Sequence, residues 1–404
     1  MASLAARIDA ATPPGRDRAV DGLRALAILG VVVGHWLVMA LTVAGDGSLS
    51  VTSPLVDLPA LAPASWVLQM LGLFFLVGGY TSARGLARAG DYRSWLRTRL
   101  VRLARPVAAV VAALAVALPL AALAGVPAGT LRTTVVLVAQ PMWFIGIYAA
   151  VTALTPVAVA LDRRLGAYAA LPALAVVAVV DLLRYGPWQD AVPSWVGLVN
   201  LLPGWSFAYL LGVAWAHGRI GRRGAALLAA GGLALGLLLV WRFGYPVSMV
   251  GVPGAGRTNA HPPSLLVLAL AAFQCGLTIA LRERIDAFLR RPARWAAVAL
   301  TNLHAMTIFC WHQVALVTLS TVALAFDPAG VAGLHDAPST PAWLWHRLAW
   351  FPVYVAVLLG CVVLARRAEN PHRGGASSRS NEVARVPDRE LLTLEPVGYG
   401  SPSG

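Results

Sequence analysis

Long apolar segments alternate with short polar ones along most of the chain. Each apolar segment is roughly 17–25 residues long, the length that a helix needs to cross a hydrocarbon core about 30 Å thick. The segments lie near residues 20–43, 65–83, 104–125, 134–160, 167–183, 195–216, 224–241, 264–281, 296–325 and 342–365. Short loops that bear arginine, glycine or proline separate them. The pattern predicts an all-α fold, a polytopic membrane helix bundle of about ten transmembrane helices.

The placement of arginine predicts how this bundle is oriented. If the N-terminus is cytoplasmic, most arginines fall in cytoplasmic segments, as the positive-inside rule requires. The outer segments then hold only Arg132, Arg184, Arg242, Arg257 and Arg347. An even number of spans keeps this alternation, so we predict that both termini are cytoplasmic.

The same patterning predicts three regions. Residues 1–19 are a cytoplasmic N-terminal segment, residues 20–370 are the transmembrane domain, and residues 371–404 are a disordered cytoplasmic tail, because they are polar and rich in Ser and Gly. The apolar run at 20–43 is too long for a signal peptide and lacks a small-residue cleavage site after it. We therefore expect this run to remain as the first span.

The composition and the placement of charge argue against a soluble globular protein and against a nucleic-acid-binding protein. The chain is 58% hydrophobic and 12% charged, which no soluble globular domain of this length matches. The net charge of +14 is compatible with nucleic-acid binding, but the arginines cluster at the ends of apolar runs and no soluble basic domain holds them, so we expect no nucleic-acid partner. Cys275, Cys310 and Cys361 lie inside apolar runs and predict no disulfide framework.

Three ionisable residues share one face of the first predicted span. Arg24 and His35 point the same way to within about 20°, and Asp21 lies about 60° from Arg24. Counted from Ala25, His35 lies about 15 Å into the core, near its midplane. Histidine moves protons near neutral pH, and ionisable groups inside a membrane usually mark a functional site. A packing hydrogen bond is the alternative for His35, but the shared face favours Asp21, Arg24 and His35 as catalytic candidates.

A second histidine, His312, lies in the ninth predicted span. Counted from Ala296, His312 is about 24 Å along its helix, and His35 is about 21 Å along the first span counted from Asp21. The two histidines are therefore predicted to lie at similar depth. His304 points about 80° away from His312 and ranks below it. The alternative role for His312 is a hydrogen bond that packs two helices together.

The densest charge in the chain lies in the cytoplasmic segment from Arg84 to Pro106. It holds more arginines than the positive-inside rule needs. Arg99 and Arg102 are three residues apart, so they share a helix face at the mouth of the third span. The planar guanidinium of arginine binds phosphate well, so these arginines predict a phosphate-bearing cytoplasmic ligand. Anionic lipid headgroups are the serious alternative.

Three weaker signals point to a cavity inside the bundle. The second span ends with Gly78, Gly79 and Tyr80, where small residues first of all permit close helix packing. Proline breaks the fourth span beside Trp143, and a polar segment with Asn259 opens the eighth span from outside. We therefore add Tyr80, Trp143 and Asn259 to His312 as candidate cavity residues.

Taken in order, four motifs resemble those of the acyltransferase-three family of integral membrane acyltransferases. The resemblance covers most of residues 17–370. The motifs are Asp21-Gly22-Leu23-Arg24 with His35, Phe74-Phe75 with Gly78-Gly79-Tyr80, Arg99 and Arg102 ahead of Pro106, and Met306-Thr307-Ile308 with Trp311-His312. Two departures, Gly78-Gly79-Tyr80 for Ser-Gly-Phe and Phe309-Cys310 for Tyr-Leu, bear on the acceptor and the acyl group rather than on the reaction class.

The resemblance implies transfer of an acyl group from cytoplasmic acyl-CoA, with acetyl-CoA the expected donor, to a hydroxyl of a cell-surface glycan or a glycosylated metabolite. By matching position, His35 is the essential histidine, as general base or transient acyl carrier. Arg24 orients His35, binds the donor or stabilises the oxyanion, and Asp21 restrains Arg24. Arg99 and Arg102 hold the donor's phosphates or pantetheine arm.

We expect no metal, a multi-pass protein of a bacterial plasma membrane surrounded by lipid, and either a homodimer or a separate extracytoplasmic partner.

Two other functions are compatible with parts of the pattern. A secondary transporter or lipid-glycan flippase fits the number of spans, although the near absence of mid-membrane carboxylates argues against ion coupling. A non-catalytic sensor or scaffold fits the bundle but leaves the face of Asp21, Arg24 and His35 unexplained. Dependence on acyl-CoA separates the enzyme from both.

Overall fold

A computed structural model describes residues 3–327 and 330–369; the predicted tail at 371–404 lies outside the described residues. The described chain consists of helices, connecting loops and one antiparallel hairpin, β1 (Ala40–Val43) with β2 (Leu49–Thr52). The helices are α1 (Leu4–Ala10), α2 (Arg18–Val38), α3 (Pro54–Asp57), α4 (Ala64–Leu68), α5 (Leu71–Ala87), α6 (Tyr92–Leu123), α7 (Ala128–Ala139), α8 (Met142–Ala153), α9 (Thr155–Leu165), α10 (Leu171–Tyr185), α11 (Leu201–Ala216), α12 (Arg222–Phe243), α13 (Leu265–Ala280), α14 (Arg282–Leu289), α15 (Pro292–Leu303), α16 (Ala305–Phe326), α17 (Pro341–Ala349) and α18 (Phe351–Glu369).

The count of membrane spans agrees with the sequence prediction. By length and composition, 7 helical segments of the described chain can cross a membrane, and the number rises to 10 if each of three bent helix pairs is one span. The bent pairs are α9 with α10, α13 with α14, and α17 with α18, bent by 85°, 60° and 44°. The fold is therefore the predicted polytopic helix bundle.

The first and the ninth predicted spans illustrate how the structure differs in detail from the prediction. The first span ends at Val38, and the apolar residues that follow it form β1. A short apolar run looks the same in a buried strand and in a helix, which is why the sequence pattern extended this span to residue 43. The ninth predicted span is broken at His304, between α15 and α16, so that α16 alone is long enough to cross.

Glycine brings the two central helices α5 and α11 into backbone contact. A Cβ atom built on Gly79 would lie 2.0 Å from the carbonyl oxygen of Tyr209, and one built on Gly212 would lie 2.0 Å from that of Leu76. A Cβ on Gly78 would meet the ring of Tyr148 at 2.6 Å. The prediction of close helix packing at Gly78 and Gly79 is therefore confirmed.

A buried carboxylate ties together the connections beside α13. Asp181 of α10 accepts hydrogen bonds from the Nδ2 of Asn200 (3.1 Å), the hydroxyl of Tyr245 (2.9 Å) and the backbone N–H of Leu265 (2.7 Å). The last of these is an N–H at the start of α13, which has no partner inside its own helix. Asp181 thus caps α13 from a neighbouring helix.

The bundle has two distinct ends, which α2 connects. The arginine end holds the start of α2 with Arg16, Arg84 and Arg282. The hairpin end holds the end of α2, the β1–β2 hairpin and the loop between α12 and α13.

Candidate functional site

His35 and His312 are in direct contact. The Nδ1 of His35 lies 2.6 Å from the Nε2 of His312, and the two rings stack with their centroids 4.9 Å apart. His312 is fully buried, whereas His35 is partly accessible. The prediction that the two histidines lie at similar depth is confirmed.

The histidine pair lies near one end of α2. Since α2 begins at Arg18 and ends at Val38, His35 lies about 26 Å along a helix about 31 Å long. The histidine pair is therefore close to the hairpin end of α2.

Hydrogen bonding fixes which ring nitrogens carry protons in the neutral pair. The Nδ1 of His312 lies 2.5 Å from the carbonyl oxygen of Phe309, and a carbonyl can only accept. The Nδ1 of His312 therefore carries the proton, and its Nε2 accepts from the Nδ1–H of His35. This leaves the Nε2 of His35 with a lone pair, which is the state of a proton acceptor.

His35 forms part of the wall of a cavity of about 300 Å³. Trp143 and Phe144 of α8, Phe309 of α16 and His261 of the α12–α13 loop also line it, and most of the wall is apolar. The rings of Trp143 and His261 meet edge to face with centroids 4.6 Å apart. The cavity lies at the hairpin end, and Trp143 lines it as the sequence predicts.

His261 is a cavity residue that the sequence prediction missed. Burial lowers the pKa of His261, so its imidazole is neutral at pH 7. The predicted cavity residue in this loop was Asn259, which instead donates to the carbonyls of Pro246 (2.7 Å) and Ser248 (2.8 Å) and accepts from Ser264 (2.8 Å). Asn259 therefore fixes the loop that carries His261. A histidine two positions away, before two prolines, was the available signal.

Asp21 and Arg24 lie far from His35 along the face that they share with it. Arg24 is about 16 Å from His35 along α2. Asp21 is buried, forms an ion pair with Arg16, and has its Oδ1 3.5 Å from the Nη1 of Arg24. The Nδ2 of Asn302 donates to the carbonyl of Asp21 at 2.8 Å. Asp21 and Arg24 therefore lie at the arginine end, away from the histidine pair.

Arg99 and Arg102 have different surroundings. Arg99 is partly buried and donates to the carbonyl of Thr81 (3.1 Å) and the hydroxyl of Ser82 (3.3 Å), near the end of α5. Both partners belong to the last two turns of α5, so Arg99 ties the start of α6 to α5. Arg99 also lies over the ring of Trp95, 4.8 Å from its centroid. Arg102 is exposed.

A second cavity, of about 630 Å³, opens at the arginine end. Its wall includes Trp215, three carboxylates and five arginines, which are Arg16, Arg84, Arg222, Arg282 and Arg290. We call it the basic cavity. Its arginines come from separate parts of the chain, so the local charge density near Arg99 did not reveal it.

Tyr80 lies beside the basic cavity, not in the cavity at the hairpin end. Its hydroxyl donates to the Oδ2 of Asp17 (2.9 Å) and accepts from the Nη1 of Arg84 (2.7 Å). Arg282 also donates to Asp17, at 2.8 Å. The sequence prediction placed Tyr80 in the substrate cavity because it closes the second span, but that end of α5 faces the arginine end.

Residues 17–366 match a family model described as an acyltransferase domain. The chain belongs to the acyltransferase-three family. This membrane acyltransferase therefore carries the family domain over nearly the whole described bundle, and the match favours the enzyme over the transporter, flippase or scaffold. Comparisons with curated proteins and with solved structures give no significant match. Among the described residues of this acyltransferase, no group of three or more His, Cys, Asp or Glu could hold a metal ion.

Proposed function

We propose that this acyltransferase moves an acyl group from acyl-CoA, with acetyl-CoA the expected donor, to a hydroxyl of a carbohydrate or related acceptor. The observation that carries the proposal is the hydrogen-bonded series from the carbonyl of Phe309 through His312 to His35. It leaves the Nε2 of His35 as a proton acceptor on a residue that lines a cavity. A general base in that state is what a hydroxyl acceptor needs.

The proposed reaction uses this arrangement in one transfer step. The acceptor hydroxyl gives its proton to the Nε2 of His35 while its oxygen attacks the thioester carbonyl carbon. The carbon–sulfur bond breaks, the coenzyme leaves as a thiolate, and the thiolate takes the proton back from His35. The positive charge on His35 during the step is stabilised because its Nδ1–H donates to the neutral Nε2 of His312. A transient acyl group on His35 is the alternative route to the same products.

The two cavities support separate sites for the two substrates. A donor that carries several phosphates matches the arginines of the basic cavity and Arg102. A neutral acceptor matches the mostly apolar cavity at the hairpin end, where Trp143 offers a ring and His261 a neutral imidazole. The acyl arm of the donor then has to extend along α2, past Arg24, to reach His35.

The test uses purified protein in detergent, a panel of acyl-CoA thioesters and detection of free thiol. We expect release of coenzyme thiol by the wild type and a loss of about 10²–10⁴-fold in His35→Ala, the usual contribution of a general base. His346→Ala is the matched control, because His346 is an exposed histidine of α17. Thiol release that survives His35→Ala contradicts the role of His35, and no release with any thioester, with or without sugar acceptors, contradicts the proposed reaction.

A further inference from the structure

Arg347 is an arginine that the proposed reaction does not use, yet it is fully buried in α17. Its Nε donates to the carbonyl of Trp36 (2.8 Å) and its Nη2 to that of Met39 (2.5 Å). Its Nη1 donates to the carbonyl of Gly333 (2.9 Å) and the hydroxyl of Tyr354 (2.5 Å). Every guanidinium nitrogen therefore has a partner, and the partners lie on three other segments.

Two of these partners, the carbonyls of Trp36 and Met39, lie in the last turn and at the C-cap of α2, just after His35. The last carbonyls of a helix have no partner inside the helix and carry the negative end of its dipole. Arg347 supplies the missing donors and a positive charge at Trp36 and Met39, which are one and four positions after His35. Arg347 thus contacts the last turn of α2, which carries His35, at two points.

Trp36 extends the same unit to the second histidine. Its indole Nε1 donates to the backbone carbonyl of His312 (3.0 Å), and its ring stacks on Tyr354 with centroids 5.1 Å apart. Since Tyr354 also accepts from Arg347, the three side chains brace one another. We call Arg347, Trp36 and Tyr354 the arginine clamp. It holds His35 through α2 and His312 through its backbone carbonyl.

We propose that Arg347 is a positioning residue for the histidine pair: it holds the end of α2 so that the Nδ1 of His35 stays within hydrogen-bond distance of the Nε2 of His312. Arg347 is not among the residues that line the cavity, so it acts through the pair rather than on substrate. Its kinetic test rests on the proposed function, but its structural test does not.

The structural test detects the hydrogen bond between His35 and His312 directly. Histidine labelled with ¹⁵N in the purified chain should show a downfield proton resonance for the short contact between His35 and His312, assigned by its loss in His312→Ala. We expect that resonance to be lost or shifted upfield in Arg347→Met and retained in Asp181→Asn. Asp181 is the matched control because it is also buried and also holds a helix end. An unchanged resonance in folded Arg347→Met overturns the proposal even if the protein transfers no acyl group.

The kinetic test separates positioning from general support of the fold. In Arg347→Met we expect kcat per folded molecule to fall about 10²-fold with KM for acyl-CoA within about twofold, because a shift of about 1 Å in a catalytic group costs that much. Asp181→Asn should lower the unfolding temperature and leave kcat unchanged. In a protein that already carries His312→Ala, adding Arg347→Met should lower kcat little further, because the hydrogen bond between the two histidines is already lost. Equal losses in both backgrounds overturn the proposal.

Milder variants keep the test decisive if Arg347→Met does not fold. Arg347→Lys keeps the charge but not the planar fork, so it should recover part of the activity lost in Arg347→Met, or retain an intermediate rate by itself. Tyr354→Phe keeps the stack on Trp36 and removes one acceptor, and it should lower kcat several-fold. Wild-type kcat in both variants overturns the proposal.

Discussion

At the scale of single residues, the histidine pair predicts unequal roles for its two members. His35 carries the free Nε2, whereas both ring nitrogens of His312 have partners. His312→Ala should therefore lower kcat by about 10–10²-fold, less than His35→Ala, because the base survives but loses its fixed tautomer and its charge stabilisation. The check is thiol release at saturating donor for both variants. A larger loss in His312→Ala than in His35→Ala contradicts this division of roles.

Substitutions of Arg99 and Arg102 should also have different effects, although the sequence motif groups the two arginines as a pair. Arg102 is exposed, so Arg102→Ala should raise KM for acyl-CoA several-fold without changing the unfolding temperature. Arg99 is hydrogen-bonded to the end of α5, so Arg99→Ala should lower the unfolding temperature as well. Kinetics at several donor concentrations and thermal unfolding check both expectations. An unchanged KM in Arg102→Ala, with a raised KM in Arg222→Ala, assigns the donor's phosphates to the basic cavity alone.

At the scale of elements, the contact between α5 and α11 predicts a sharp difference between two glycines. Gly79→Ala places a methyl group against a backbone carbonyl, which cannot move aside as a side chain can, so we expect a loss of about 1–3 kcal/mol or failure to fold. Gly146→Ala in α8 meets no atom within 4 Å and should stabilise by about 0.5–1 kcal/mol through helix propensity. Thermal unfolding in detergent compares the two. Equal stability would falsify the backbone contact.

Because a buried histidine, His335, lies in the loop that precedes α17, we expect the stability of the protein to depend on pH. His335 is buried, its Nδ1 accepts from the N–H of Val331 (3.0 Å), and its Nε2 lies 2.8 Å from the carbonyl of Ser320. Burial lowers the pKa of His335 below its usual value near 6.5. The unfolded state then binds more protons than the folded state, so this contribution is complete above about pH 6.5 and is lost as the pH falls below it.

The measurement for His335 is the unfolding temperature between pH 5 and pH 7.5. We expect the wild type to lose stability toward pH 5 and His335→Gln to lose less over the same range, although His335→Gln is less stable at pH 7.5. Parallel pH profiles for the two proteins contradict a neutral, buried His335.

At the scale of the whole molecule, the sequence predicts features that neighbouring residues determine and misses contacts between residues far apart in the chain. Hydropathy gives the spans because every backbone polar group in a membrane must be satisfied within a helix. Counting along the helices predicts similar depth for His35 and His312, but it does not predict their contact, and the helix that carries His312 begins only at Ala305. The clamp at Arg347 had no such signal, because its contact with Trp36 joins residues 311 positions apart. In the sequence, Arg347 is one more arginine in an outer segment.

The order in which the chain is synthesised determines when the histidine pair can form. His35 and His312 are 277 residues apart, so the first helix with its histidine is made long before its partner. At a ribosomal rate of about 5–20 residues per second, that interval is about 14–55 s. During it the nascent chain holds a lone histidine without a fixed tautomer, and Arg347 follows later still. The histidine pair can therefore form only after nearly all of the bundle has been made, and an incomplete chain lacks the hydrogen bond that fixes the tautomer of His35.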